Sequence, residues 1–87
     1  MSMNFKRSKN EPIDRELQSL VDRYESLKSN PEGRSAACAE LTRDIMGFRY
    51  KLAYNRGTES YENRYDWAPM LKAMLATLED CSSAGAS

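Results

Sequence analysis

The stretch Ser35-Ala-Ala-Cys-Ala-Glu-Leu-Thr-Arg-Asp-Ile-Met-Gly-Phe-Arg-Tyr-Lys-Leu-Ala-Tyr54 decides the fold. Cys38, Leu41, Ile45, Phe48 and Leu52 follow one another at steps of three and four, so they line one seam of a helix that must lie against a neighbour. Ser35 is a good N-cap, and Asn55 and Gly57 can take the left-handed conformation that ends a helix. Met46, Gly47, Tyr50, Ala53 and Tyr54 make a second, weaker stripe on another side. A glycine inside a helix costs about 1 kcal/mol relative to alanine unless something approaches closely there. The helix is therefore expected to have two occupied faces.

Working outward, Ser29-Asn-Pro-Glu-Gly33 is a stop and a tight turn, because Pro31 cannot continue a helix and Gly33 supplies a turn residue. Before it, Ile13, Leu17, Leu20, Val21, Tyr24 and Leu27 form the apolar stripe of another helix, with Asn10 as its N-cap and Pro12 in its first turn. So short a connection favours an antiparallel hairpin. After residue 54, a third helical pattern opens at Asp66 and carries Trp67, Met70, Leu71, Met74, Leu75 and Leu78. Ala68, Ala73 and Ala76 fill much of the rest, so it scarcely has a polar face. Such a helix is expected to be covered on several sides. The reading is an all-α fold: a small three-helix arrangement built on an antiparallel helical hairpin, with a homo-oligomer or a protein partner covering helix 67–78. Residues 1–10, with Lys6, Arg7 and Lys9, read as a flexible basic arm, 11–80 as the single helical domain and 81–87 as a flexible tail.

Composition removes several functional classes. The chain of 87 residues has no histidine, which removes the usual proton shuttle, the Ser-His and Cys-His nucleophile pairs and the common zinc ligands. Its acids lie on helix faces that read as solvated, where carboxylates gain no shifted pKa. Gly33, Gly47, Gly57 and Gly85 stand singly, outside any phosphate-binding pattern. The reading is a non-enzyme with neither metal nor cofactor. Thirteen basic residues balance thirteen acidic ones, so no global field draws the chain to nucleic acid or to anionic membranes. Cys38 and Cys81 match neither a CxxC motif nor a secreted disulfide framework, so they are expected to be free thiols, the first buried, in a reducing cytoplasm. No apolar run resembles a signal peptide or a membrane span.

What remains is the run from Phe48 to Trp67, which holds six of the eight aromatic residues together with Arg49, Lys51, Arg56 and Arg64. Tyrosine, tryptophan and arginine are enriched at binding hot spots because each joins a large contact area to a polar end. Phe48 and Trp67 fit core positions. The candidate partner-binding residues are thus Tyr50, Tyr54, Arg56, Tyr61, Arg64 and Tyr65. They point to a small protein-binding module: an inhibitor, adaptor or assembly subunit, comparable in size and type alone with helical phage accessory proteins. The alternative is a nucleotide binder in which tyrosines stack on the base and Arg49, Arg56 or Arg64 holds phosphate. Glu59, Glu62 and Asp66 interrupt the basic residues and disfavour a nucleic-acid track.

Overall fold

A computed structural model of the chain describes residues 4–30, 32–53 and 61–86. Among these residues there are four helices and no strand: α1 (Glu11–Ser29), α2 (Ser35–Ala53), α3 (Tyr61–Arg64) and α4 (Trp67–Ala86). The all-α expectation holds: three long helices correspond to the three patterns, and a short helical turn, expected in the connector from Thr58, is found at Tyr61–Arg64. The short α3 is a single turn inside the aromatic connector.

The core is the meeting place of the stripes read from the sequence. Leu17, Leu20, Val21, Tyr24 and Leu27 from α1, Cys38, Leu41, Ile45, Phe48 and Leu52 from α2, and Trp67, Leu71, Met74 and Leu78 from α4 form one buried cluster. Ion pairs fix the direction of α1 against α2, because Glu16 reaches Lys51 and Arg23 reaches Asp44. As one helix ascends the other descends, which is the expected antiparallel hairpin. Yet α2 packs more extensively on α4 than on α1. The central helix is therefore α2, with α1 and α4 as its flanking partners.

Both chain ends depart from expectation. Residues 4–10 contain no helix but are tied into the fold. Phe5 meets the Trp67 ring edge-on with centroids 6.0 Å apart, and the Trp67 Nε1–H donates to the Lys6 carbonyl at 2.9 Å. Ser8 is buried and donates from its N–H and its hydroxyl to the Asp14 carboxylate, at 3.0 and 2.6 Å, while its carbonyl accepts from the Tyr65 hydroxyl at 3.1 Å. Asn10 then caps α1 as expected, its side chain accepting from the Ile13 N–H. Lys9 turns the chain with φ 71°, a region that residues other than glycine seldom occupy. The segment read as a loose arm is thus a strap across the start of α1 and the α3–α4 junction. At the other end, α4 runs through the segment read as a tail, to Ala86.

The cysteines supply the clearest correction. Cys38 and Cys81 are joined by a disulfide, their Cα atoms 6.1 Å apart. Cys38 is buried in the core as expected, but as half of a cross-link that fastens the start of α2 to the later turns of α4. Disulfides persist in oxidising compartments, so the cysteines lend no support to a reducing cytoplasm. Among the described residues, no helix is long and apolar enough to cross a membrane.

Candidate docking face

Helix α2 shows why one face of the molecule stands out. Its buried residues Cys38, Leu41, Ile45, Phe48 and Leu52 occupy the side turned to the core. Advancing 100° per residue, Ala39, Met46, Tyr50 and Ala53 fall together on a side about 130° round from that seam. All four are exposed. Met46 and Tyr50 are the exposed large hydrophobics of the described chain, at 59% and 67%. This is the second stripe of the sequence, and it is open to solvent. Nothing lies within 4 Å of the Cβ position of Gly47, so that glycine does not mark a close approach within the chain.

The neighbouring helix extends the same face. On α4 the buried line is Trp67, Leu71, Met74 and Leu78, and Ala68, Lys72, Leu75, Ala76 and Glu79 turn toward one flank of it. With α2 and α4 antiparallel, this flank lies beside Thr42 and Met46. Between them runs an open groove of about 470 Å³, lined by Thr42, Met46, Lys72, Leu75, Ala76 and Glu79. Met46, Leu75 and Ala76 give it an apolar lining, and Lys72 and Glu79 are its charged residues. Helix α4 also has a solvent face after all: Lys72, Ala73, Ala76, Thr77, Glu79 and Asp80 are exposed. Its alanines read as apolar by composition, but alanine is the best helix former and is at ease on a helix surface.

The residues expected to form the binding surface are distributed differently. Tyr50 is on the open face. Arg64 is exposed at the end of α3. Tyr65 is half-buried, with its hydroxyl committed to Ser8 and its ring 5.6 Å from that of Trp67, so it belongs to the packing under the strap. Tyr61 begins α3, while Tyr54 and Arg56 lie outside the described residues. Phe48 and Trp67 are core, stacked with centroids 6.5 Å apart.

Several described charges of the run are also engaged. Arg49 pairs with Glu62, a half-buried contact that holds α3 against α2, and Asp66 pairs with Lys6 at 2.8 Å. Two of the acids that interrupted the basic pattern, Glu62 and Asp66, thus hold α3 to α2 and the start of α4 to the strap, while Glu59 lies outside the described residues. Met46, Leu75 and Ala76 are the additions to the surface that the aromatic count passed over. Their signal was present in the apolar stripe of α2 and the unusually apolar α4, taken together. Among the described residues, no three His, Cys, Asp or Glu side chains gather to hold a metal ion. Comparisons with protein-family models, curated proteins and solved structures find no match.

Proposed function

We infer that the protein is a non-enzymatic protein-binding module and that it docks through the α2–α4 face. The observation that carries this reading is the exposure of Met46 and Tyr50 on one side of α2, beside a groove lined by Met46, Leu75 and Ala76. A chain of this size has little apolar surface to spare for solvent, since its core is already thin. Methionine and tyrosine are apt residues for such a surface: methionine adapts its shape, and tyrosine joins a rigid ring to a hydroxyl. The α2–α4 cross-link holds the two sides of the groove in a fixed relation, which lowers the ordering cost of docking.

The nucleotide alternative draws no support from an arrangement in which Tyr65 is committed to the strap and Arg49 to Glu62. The test is the double substitution Met46→Glu and Tyr50→Glu. Both positions are exposed on a helix, so circular dichroism and melting temperature should hold near those of the parent. In extracts of the cells that produce it, the parent should elute above the size of a monomer and the variant as a monomer. Equal elution of the two would contradict the reading.

A further inference from the structure

We propose that the occupant of this face is a second copy of the same chain, with α4 packed antiparallel on α4 of the partner about a two-fold axis between Leu75 and Ala76. The proposal rests on the docking reading above and names its partner. Lys72 and Glu79 line the groove and are set symmetrically about that midpoint, one three residues before Leu75 and the other three residues after Ala76. Separated by seven residues, they stand two turns apart, ~10.5 Å along the axis, on one face of the helix.

An antiparallel two-fold contact brings Lys72 of each chain opposite Glu79 of the other, so the charge pattern is complementary to itself. That is the property a two-fold interface requires, because one surface must serve as both halves. A foreign partner sets no such condition. The small side chains between and beside the charges, Ala76 at the centre and Ala68 one turn before Lys72, allow a helix to approach closely. Leu75 then meets Ala76 across the axis, while Met46 and Tyr50 flank the contact from α2. An ordinary interface covers ~800 Å² of each partner, roughly a seventh of the 5880 Å² this chain exposes.

The charges provide the test. Sedimentation velocity on the purified, oxidised protein compares the parent with Lys72→Glu, with Glu79→Lys and with both together. The parent is expected to be a dimer. Each single reversal sets like charges opposite one another at two symmetry-related places, and should weaken dimerisation by about tenfold or more. The double reversal restores opposite charges at both places and should return the dimer. Both substitutions are on an exposed helix face, so the fold is retained in all three variants. A monomeric parent overturns the proposal but leaves the docking reading to the elution experiment, where a foreign partner would still appear. A dimer indifferent to the single reversals overturns it as well, as does a double reversal that remains monomeric.

Discussion

Reducing the Cys38–Cys81 disulfide should remove a large part of the stability of this protein. The bond joins residues 43 apart. In the chain-entropy treatment, a loop of that length lowers the entropy of the unfolded chain by ~13 cal/mol/K, or ~4 kcal/mol at 25 °C. The total stability of a domain of this length is on the order of 4–13 kcal/mol, so the cross-link accounts for a third or more of it. At 4–8 °C per kcal/mol, the melting temperature should fall by about 15–30 °C. The assay is thermal and urea unfolding of oxidised and reduced protein, with a Cys81→Ala variant as the permanently open form. Urea should also show a steeper dependence for the reduced protein, because its unfolded chain is more expanded. The direction of the effect comes from the loop length and not from contacts in the folded state. A fall of less than ~5 °C, in reduced protein and variant alike, would refute the reasoning and mean that the unfolded chain is already restricted between these positions.

Three further outcomes follow from particular residues. Gly47→Ala should stabilise the protein by about 0.5–1 kcal/mol in urea unfolding, because the added Cβ meets open space within a helix. Asp14→Ala should cost about 1–3 kcal/mol, since it leaves the buried N–H and hydroxyl of Ser8 without their acceptor; unfolding midpoints measure it. Deleting residues 1–7 should shift the fluorescence of Trp67 to the red and lower the melting temperature, because Phe5 and the Lys6 carbonyl leave a ring that is 0% exposed.

Much of this architecture was legible in spacing alone. The stripes Leu17 to Leu27, Cys38 to Leu52 and Trp67 to Leu78 became the core because helical periodicity is a local property that short windows reveal. The turn at Gly33, with φ 71°, also falls where the sequence places it. What spacing does not reveal is pairing at long range. The Cys38–Cys81 bond joins residues 43 apart, about half the chain, with no local pattern around either one, and Phe5 is a single aromatic whose partner is Trp67. The same limit explains the binding surface. Counting aromatic residues gathers Tyr50, Tyr65 and Trp67 into one run, but a helix face, a strap and a core separate them in space. Met46 and Leu75 are far apart in sequence and share a groove only because α2 and α4 lie antiparallel.

The most direct test of the docking face is photo-crosslinking in the cell that makes the protein. A photoreactive residue is placed at position 46 in one sample and at position 26, an exposed serine on α1, in another. A discrete covalent adduct is expected from position 46 and none from position 26, with the adduct mass showing whether the partner is a second copy. Adducts of equal yield from both positions, or none from position 46, would contradict the docking reading.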